Sequence, residues 1–547
     1  MNEQKIRTLM IVLIVIGVIL ILTGIYFIVF TDTAIKEGIT GIFKIAGLIA
    51  GGLFLSVPAK IYLTLQLMKH NDEKVRTANM LAEKNIKKMK IKFDVDLIKR
   101  YDKSGPRYTS YPTAVAFTPD FIEDDYRRHA KQSNRANAPL SLYFHIPFCD
   151  TICFYCACNK IATKDYSKTS VYLQYLYREM DIQAKLFDSS RVVEQLHWGG
   201  GTPTFLNHEE IAELMAYTRK TFNLLDDDSG DYSIEIDPRS VSKDTIKLLR
   251  DVGFNRFSLG VQDVDEKVQK AVNRIQPIEE TQAIIDACRE NNAHSVSIDL
   301  IYGLPLQTVE GFAKTLQTAI EMNPDRMSIF NYAHLPHIFK PQRRINEDEL
   351  PSAEEKLDIL QQSIDTLTQA GYEYIGMDHF AKPDDELAIA QAEGSLHRNF
   401  QGYTTHAECD LIAMGVSSIS SISNSYSQNE KDLKGYYAAI DAGKLAIIRG
   451  LSLTDDDVLR RSIIQQLSCH FALDFKTIEQ QYNIQFDEYF ATELKDLLPM
   501  QADDLLTLSS SDIQVTPAGR MLIRNICMVF DEHLRQQKTV QSFSKVI

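Results

Sequence analysis

Cysteine is scarce in this chain, which holds only eight cysteines among its 547 residues. Four of them, at positions 288, 409, 469 and 527, stand singly in the sequence. A secreted protein held together by disulfides would show a regular framework of cysteines, so that class is excluded. The other four lie within ten residues, CDTICFYCAC over 149–158. Such local clustering in a large chain predicts a metal or catalytic site.

Positive charge is also in short supply, with 59 Lys and Arg against 73 Asp and Glu and a net charge of −14. A nucleic-acid-binding surface needs a basic electrostatic field, so we expect no nucleic-acid partner. An anionic substrate would have to find a local basic pocket on a surface that otherwise repels it.

Charged residues are absent from positions 10–30, MIVLIVIGVILILTGIYFIVF, a run long enough to cross a bilayer as a helix. A shorter apolar run, IAGLIAGGLFLSVPA, follows over 45–59 and needs its flanking lysines to reach the interface. The first run is too long for a cleaved signal peptide, and no small-residue cleavage motif follows it. We therefore predict a two-helix transmembrane hairpin over 1–68, with a second helix that lies in the interface as the alternative.

Basic residues are distributed unequally around this hairpin. Residues 69–92 hold eight Lys or Arg, whereas the loop TDTAIKEG between the two runs holds one. The positive-inside rule places both ends of the hairpin in the cytoplasm. We expect a charged linker over 69–92 and a cytoplasmic catalytic part tethered to the inner membrane.

After residue 92 the sequence alternates between short strand-like runs and helix-length amphipathic segments. Six strands alternating with helices predict an α/β domain with a parallel sheet, and the pattern leaves open whether it is an open sheet or a full or partial barrel. The six runs are LSLYFHI (140–146), QLHWGG (195–200), YSIEID (232–237), RFSLGVQ (256–262), SVSIDLIYG (295–303) and RMSIFNYA (326–333).

Polar groups follow the ends of five of these strands. They are the cysteine loop, the turn GGGTPT, Glu235 with Asp237, Gln262 and Asp299. Because the carboxyl ends of parallel strands meet at one edge, we expect these groups to form one site.

From about residue 345 the strand rhythm fades. Residues 346–547 are predicted to be mainly helical and to cover the active site, with a strand, turn and helix in DIQVTPAGRMLIRNICMVFDEHL. A winged-helix DNA reader is the alternative for this region, and the acidic balance disfavours it.

The cysteine stretch directly follows the first predicted strand. Cys149, Cys153 and Cys156 are spaced C-x3-C-x2-C, and three soft thiolates on one tight loop suit a [4Fe–4S] cluster with one open iron. Cys158 leaves that turn, and we expect it to be a buried thiol beside the cluster. A four-thiolate zinc site is the alternative, although zinc sites usually pair two arms distant in sequence.

With Tyr155 before its third cysteine, this loop resembles that of radical S-adenosylmethionine enzymes. From about residue 93 onward the chain is similar to the oxygen-independent coproporphyrinogen III oxidase family, in motifs that include YFHIPFC, LHWGGGTPT, EIDPR, VNRIQ, IDLIYGLP and LHRNFQGYTT. The resemblance implies a partial (β/α)6 barrel over 93–345 with an N-terminal lid. It finds no counterpart for the first 90 or so residues, where the membrane-length runs lie.

The resemblance also implies an activity and its cofactors. Two propionates of coproporphyrinogen III become vinyl groups through a 5′-deoxyadenosyl radical, which gives protoporphyrinogen IX. One cluster held by Cys149, Cys153 and Cys156 and two S-adenosylmethionine molecules are implied. By motif matching, the first molecule contacts Tyr143, Gly200, Glu235, Ala333 and Ile419, and the second contacts Tyr155, Gly201, Thr202, Gln262, Arg274 and Asp299. We expect the GGGTPT turn to bring backbone groups close to this cofactor.

The implied substrate carries four carboxylates, which arginine binds bidentately. Candidate clamps are Arg107, Arg343, Arg344 and Arg398, with Gln401 beside them. The histidines at 145, 197, 379 and 397 lie beside aromatic residues, and we expect them to be packing residues and not metal ligands.

Two other functions stay open. A heme chaperone shares the three-cysteine core without decarboxylase activity, but those relatives typically have an aromatic residue at Cys158 and lack VNRIQ. A membrane-tethered sensor without activity is the second alternative. For the oxidase we expect a monomer that works with an electron donor and an acceptor not identified by the sequence.

Overall fold

The computed structural model describes residues 3–30, 38–54, 56–57, 60 and 91–536. The chain divides into two compact units, 1–90 and 91–547. The predicted linker over 69–92 lies outside the described residues except for its last two positions.

The first unit contains the helices Glu3–Phe30 and Ile39–Phe54. They pack through glycines, because a Cβ atom on Gly17 would lie only 2.6 Å from the backbone oxygen of Gly52. Of the described residues, one segment, Leu13–Phe30, is long and apolar enough to cross a membrane, and the second helix is shorter. The predicted transmembrane hairpin is therefore not supported, because a single apolar helix of this kind does not establish a pair of spans.

The second unit is built on twenty strands, counted over its described residues. In chain order they are β1 Leu140–Ile146, β2 Phe148–Cys149, β3 Ile161–Ala162, β4 Val192–Gly200, β5 Asn223–Leu224, β6 Asp231–Ile236, β7 Arg256–Gln262, β8 Ser295–Tyr302, β9 Arg326–Asn331, β10 Glu373–Gly376, β11 His379–Ala381, β12 His397–Asn399, β13 Gly402–Thr404, β14 Asp410–Met414, β15 Ile419–Ser421, β16 Ser425–Asn429, β17 Ile447–Ser452, β18 Ala472–Asp474, β19 Leu506–Leu508 and β20 Asp512–Val515.

The α-helices of this unit connect those strands and cover the sheet. They are Val95–Tyr101, Glu123–Ala136, Ser167–Ala184, His208–Thr221, Lys243–Asp251, Glu266–Ala271, Ile278–Glu290, Val309–Glu321, Ala353–Gln369, Glu386–Glu393, Leu433–Asp441, Asp455–His470, Phe475–Tyr482, Phe486–Tyr489, Ala491–Ala502, Ile523–Val529 and Glu532–Gln536.

Six parallel strands form the centre of the main sheet, in the order β9-β8-β7-β6-β4-β1. They are the six strands that the sequence predicted, each joined to the next by at least one helix, as parallel pairing requires. The sheet is open in the described part of the chain, since its end strands β10 and β17 do not pair with each other. The described structure is therefore an open α/β sheet and not a closed barrel. We call its six central parallel strands the wall.

The alternation of side chains along β1 shows how this wall separates core from site. Leu142 and Phe144 are fully buried in the main hydrophobic core. Tyr143 and His145 point to the opposite face, where the Tyr143 ring stacks on His197 of β4 with centroids 5.8 Å apart. The inner face of the wall is therefore polar and aromatic.

The prediction of a mainly helical region over 346–547 was incomplete. β10 and β11 extend the sheet beyond β9, while β14, β15, β16 and β17 extend it beyond β1. These strands are only three to six residues long, which is too short for periodicity to indicate them. Beyond residue 454 helices do predominate, and the predicted strand, turn and helix is confirmed as β20 and Ile523–Val529.

The register around β1 joins distant parts of the chain. Leu140, the first residue of β1, pairs with Asp410 of β14 on one side and with Val193 of β4 on the other. The late strand β14 is thereby a parallel neighbour of the first strand and completes the wall on that side.

Candidate active site

The cysteine loop begins where β1 ends and is pinned at both of its ends. The Ile161 N–H donates to Pro147 O at 2.7 Å, and the Thr163 N–H donates to Cys149 O at 2.9 Å. At the middle of the loop the Phe154 N–H donates to Val272 O at 2.9 Å. These bonds hold the cysteines at the carboxyl edge of the wall, where the strand order predicted them.

The four cysteines of the loop differ in exposure. Cys149 and Cys153 are buried, Cys156 is half-buried, and Cys158 is exposed. The expectation of a buried Cys158 was wrong, because this residue has already left the turn that encloses the other three. Its thiol still hydrogen-bonds to that of Cys156 and lowers the pKa of Cys156.

Two arginines and a hydroxyl lie against the predicted ligand sulfurs. Arg274 Nη1 is 3.5 Å and Arg239 Nη2 is 3.7 Å from the sulfur of Cys153. Both guanidinium groups also bind Asp237, at 3.1 Å and 2.6 Å. The Thr202 hydroxyl donates to the sulfur of Cys149 at 3.5 Å. Cations and donors at these positions can offset the negative charge of sulfurs that bind a metal. For the free thiol of Cys149, burial outweighs the Thr202 hydroxyl and raises the pKa to about 11.

The cysteines open onto a cavity of about 230 Å³, here called the cluster cavity. Of the residues implicated by the sequence, it is lined by Cys149, Cys153, Cys156, Tyr155, Gly200, Gly201, Thr202, Glu235, Gln262, Arg274 and Asp299. It therefore brings together the three predicted cluster ligands and all the residues predicted for the second S-adenosylmethionine.

A neighbouring cavity of about 340 Å³, here called the inner cavity, is lined by Tyr143, His145, Phe400, Gln401 and Ile419, among others. It shares Cys158, Gly200 and Glu235 with the cluster cavity. Four of the five residues predicted for the first S-adenosylmethionine thus line the inner cavity. The fifth, Ala333, lines a third cavity with Arg107, Tyr302 and Asn331. Its carbonyl accepts from Gln342 Nε2 at 3.2 Å, and the same nitrogen donates to the carbonyl of Tyr155 at 3.0 Å.

The backbone amides of the GGGTPT turn were expected to face the cofactor, but two of them bind within the protein. The Gly201 N–H donates to Ile146 O and the Thr202 N–H to Phe148 O, both at 2.8 Å, so these amides are already engaged within the protein. A Cβ atom on Gly201 would lie 2.7 Å from Phe148 O. The glycine is needed for the close approach of the turn to the cysteine loop.

Glu235 presents a carboxylate where the two cavities meet. Burial alone would raise its pKa, but His197, the Gly200 N–H and His145 outweigh burial, and the pKa lies below its usual value. The Gly200 N–H donates to Glu235 Oε2 at 3.1 Å. Glu235 is therefore a charged acceptor suited to an ammonium or hydroxyl group.

The predicted packing histidines 145 and 197 lie in hydrogen-bonded positions. His145 Nε2 is 2.9 Å from Asn159 O, and its Nδ1 is 3.1 Å from the Tyr143 hydroxyl. His197 Nδ1 is 2.7 Å from the Ser233 hydroxyl. Burial lowers the pKa of His145, which favours a neutral ring.

Gln262 and Asp299 leave hydrogen-bonding capacity in the cluster cavity. Gln262 Oε1 is buried and has no hydrogen-bond partner among the described residues. Burial, with a smaller contribution from Glu235, raises the pKa of Asp299 to about 6. A ligand that donates hydrogen bonds to both groups would satisfy the unpartnered Gln262 oxygen and stabilise the buried Asp299 carboxylate.

The structure separates the candidate substrate-binding arginines. Arg343 and Arg344 are exposed. Arg107 binds Asp378 at 2.8 Å. Arg398 is only 4% exposed, stacks over Tyr403 at 4.7 Å, and has no partner for its Nε and Nη1 among the described residues.

One functional candidate, Arg520, was missed by the sequence analysis. It is 7% exposed, stacks over Phe471 at 4.6 Å, and likewise has no described partner for Nε and Nη1. The rings of Tyr403 and Phe471 meet at Gly376, where a Cβ atom would collide with the Tyr403 hydroxyl. The two arginines therefore lie on adjoining aromatic rings, although 122 residues separate them in sequence. No local pattern around Arg520 could have indicated this.

Two family models match parts of this chain. The radical SAM superfamily matches residues 143–319, and the HemN C-terminal domain matches 453–522. The oxygen-independent coproporphyrinogen III oxidase of Pseudomonas aeruginosa is 55% identical over 84% of this chain and 99% of that protein. The Escherichia coli enzyme of that name is 52% identical over the same shares.

A solved structure is similar as well. The structure described as coproporphyrinogen III oxidase (HemN) from Escherichia coli, a radical SAM enzyme, has a TM-score of 0.78 and 51% identity. The match covers 81% of this chain and 100% of that one.

Proposed function

The chain belongs to the oxygen-independent coproporphyrinogen III oxidase family, and from this we propose that it converts coproporphyrinogen III to protoporphyrinogen IX in heme biosynthesis. In this anaerobic oxidation two propionate side chains each lose carbon dioxide, one hydrogen atom and one electron, and become vinyl groups. The observation that carries the proposal is the meeting of the three predicted ligand thiols with two adjoining cavities at one edge of the sheet.

Cys149, Cys153 and Cys156 hold the [4Fe–4S] cluster in this proposal. The donor set fits, because these three thiols line the cluster cavity together and cations at Cys153 offset their negative charge. When bound, the cluster and S-adenosylmethionine supply the radical that removes a hydrogen atom from a propionate. The protein binds and orients these groups and excludes side reactions.

Two S-adenosylmethionine molecules occupy the two adjoining cavities. The unpartnered Gln262 Oε1, Asp299 and Arg274 serve one molecule in the cluster cavity. Tyr143 and Ile419 serve the other in the inner cavity. Glu235 lies on both cavities and contacts the cofactor at the shared wall. Ala333 lines neither cavity, but its carbonyl shares the Gln342 amide with the carbonyl of Tyr155, so it stays beside the cofactor site in this proposal.

In this proposal Arg398 and Arg520 each offer a buried guanidinium to a substrate propionate. A buried guanidinium with unpaired N–H groups is costly, and a carboxylate is the partner whose geometry matches it. Gln401, whose Nε2 also lacks a described partner, lines the inner cavity and can donate to the same ligand.

The charge around these arginines supports an anionic ligand. Burial, with repulsion from Arg107 and Arg398, lowers the pKa of Arg524 to about 10. Burial and the same two cations lower the pKa of His379 to about 3, so that ring stays neutral. In a chain of net charge −14, such a local concentration of arginines would attract a four-carboxylate substrate.

An anaerobic assay tests the activity. The cluster is reconstituted, then reductant, S-adenosylmethionine and coproporphyrinogen III are added, and protoporphyrinogen IX and carbon dioxide are measured. We expect product from the wild type and none from Cys156→Ser. Absence of product with an intact cluster would overturn the oxidase proposal and favour a heme chaperone.

The N-terminal unit tethers the enzyme to the membrane in this proposal, with the catalytic unit in the cytoplasm. Apolar side chains along the first helix, such as Ile19, Leu22 and Val29, are exposed. The first helix is long and apolar enough to cross a membrane, and the glycine contact lets the shorter second helix pack closely against it.

Fractionation of cells that express the full chain tests the tether. We expect the wild type in the membrane fraction after a carbonate wash. Lysine at both Ile19 and Leu22 should release it, because each charge costs about 3 kcal/mol in the centre of a span. A wholly soluble wild type would contradict the tether.

Sedimentation of the purified full chain in detergent gives its molecular mass and tests the expected monomer.

A further inference from the structure

A second group of metal-binding side chains lies at the amino ends of the strands, on the edge opposite the cysteine loop. It consists of Glu194, His406 and Cys409, whose ligand atoms all lie within 4.8 Å of one another. His406 Nδ1 is 3.3 Å from Glu194 Oε2. In a tetrahedral zinc site with bonds of about 2.0–2.3 Å, the ligand atoms are about 3.3–3.8 Å apart. Small side-chain movements are enough to close this group around one ion.

The strand register explains how these residues meet. Leu140 of β1 pairs with Val193 on one side and with Asp410 on the other. Glu194 follows Val193 in β4, and Cys409 directly precedes Asp410, so they lie close together across the start of β1. His406 lies on the same short loop as Cys409, between β13 and β14.

Neighbouring charged groups leave these ligands available and place a carboxylate near the histidine. Asp410 is held by Arg191 at 2.8 Å and is not free to bind an ion. Asp231 Oδ2 lies 3.9 Å from His406 Nε2, on the other side of the ring from Glu194. Arg256 Nε holds Asp231 Oδ1 at 2.8 Å. A carboxylate behind a metal-binding histidine is the usual arrangement in zinc sites.

The surroundings of Cys409 are rich in negative charge. Burial, followed by Glu194, Asp410 and Asp231, raises the pKa of its thiol to about 12. The side chains of Glu194 and His406 are 42% and 21% exposed, which provides an entry path for an ion. A divalent cation here would offset the carboxylates.

We propose that Glu194, His406 and Cys409 bind a Zn²⁺ ion, with water in the fourth position. The mixture of thiolate, imidazole and carboxylate is the set that zinc takes in proteins. On binding, the Cys409 thiol forms a sulfur–zinc bond and gives its proton to solvent. The ion clips the loop before β14 to β4. Six residues of strand separate Glu194 from Gly200, or about 20 Å at 3.3 Å each, so this site is distinct from the cluster cavity.

Metal analysis of the cluster-loaded full chain tests this site. After Zn²⁺ addition and desalting, we expect about one zinc per chain, beside the four irons of the cluster, in the wild type. His406→Gln and Cys409→Ser should lose the zinc and keep the iron. His294→Gln is the matched control, because His294 also binds a carboxylate, that of Asp228 at 3.0 Å, but lies outside this group.

X-ray absorption at the zinc edge identifies the ligands, since it does not respond to iron. We expect one sulfur at about 2.3 Å and the remaining ligands, nitrogen or oxygen, at about 2.0–2.2 Å. Asp231→Asn should weaken zinc binding about 10-fold, as loss of a carboxylate behind a ligating histidine does.

Three results would overturn the site: no zinc in the wild type, equal zinc in His406→Gln, or a spectrum with three sulfurs. The last would place the ion on the cysteine loop. If Cys409→Ser does not fold, His406→Gln with full iron content still decides the question.

Discussion

The Nη1 atom of Arg274 lies 3.5 Å from the sulfur of Cys153. The same nitrogen binds Asp237 at 3.1 Å, which fixes the guanidinium in this position. A permanent cation thus touches one of the three sulfurs proposed to hold the cluster. Charge and hydrogen bonds at the sulfurs set the potential of an iron–sulfur cluster.

Arg274→Gln is therefore expected to make the cluster harder to reduce. Loss of about 1 kcal/mol of stabilisation of the reduced form corresponds to a fall of about 40 mV for one electron. A redox titration followed by electron paramagnetic resonance measures the shift. Arg344→Gln is the control, since Arg344 stacks on Phe154 of the same loop at 5.3 Å. An unchanged potential with an intact cluster would contradict the role of Arg274.

Cys158→Ser is expected to keep the cluster, because the exposed Cys158 is a neighbour of the ligands and not one of them. Serine at Cys149, Cys153 or Cys156 should abolish it. Iron content and absorbance near 400 nm, on the order of one cluster per chain, measure the difference. Loss of iron in Cys158→Ser would show that the fourth thiol is needed for assembly.

Arg520→Met is expected to weaken substrate binding while it stabilises the fold. Loss of a charge-assisted hydrogen bond of about 1.5–3 kcal/mol raises the KM for coproporphyrinogen III by about 10- to 150-fold. The melting temperature rises, because a buried cation without a described partner is replaced by an apolar side chain. A merely structural arginine would lower the melting temperature instead.

Arg398→Met should behave in the same way, and the exposed Arg343→Gln serves as the control with an unchanged KM. Steady-state kinetics and thermal unfolding of each variant, at full iron content, give both quantities. Equal KM values for all four proteins would remove both arginines from the substrate site.

S-adenosylmethionine binding is expected to weaken as the pH falls through about 6, the pKa of Asp299. This pKa is raised above the ordinary value, so the carboxylate is charged above it and becomes protonated below it. Protonation removes an acceptor for the ribose hydroxyls. Asp299→Asn should bind less tightly and show no such dependence between pH 5 and 8. Calorimetric titrations with S-adenosylmethionine across this pH range measure the affinity of both proteins. If the affinity of Asp299→Asn changes with pH as steeply as that of the wild type, Asp299 is not the titrating group.

Much of the wall and of the site at its carboxyl edge could be predicted, because the sequence patterns that indicate them are local. The run LSLYFHI predicted β1, and the cysteine spacing after it predicted the ligand loop. Hydrophobic alternation and ligand spacing each extend over ten residues or fewer, so both are visible in the sequence. The polar strand ends predicted which residues share a cavity because parallel strands align their carboxyl ends.

The remaining features depend on contacts between distant segments. β14 is a run of five buried residues, DLIAM, and nothing in it indicates a parallel partner 270 positions earlier in the chain. Arg520 lies in the turn between β20 and the helix Ile523–Val529, and becomes a candidate only because its guanidinium is buried beside Phe471. Burial and pairing of this kind follow from the tertiary fold and not from sequence pattern.

The pairing of β1 with β14 also has a consequence during synthesis. β1 leaves the ribosome long before Asp410 is made. One edge of β1 therefore stays unpaired with β14 while about 270 further residues are translated. At about 5–20 residues per second this takes roughly 14–54 s. An unpaired edge strand is prone to wrong pairing, so the nascent chain needs shielding over this interval.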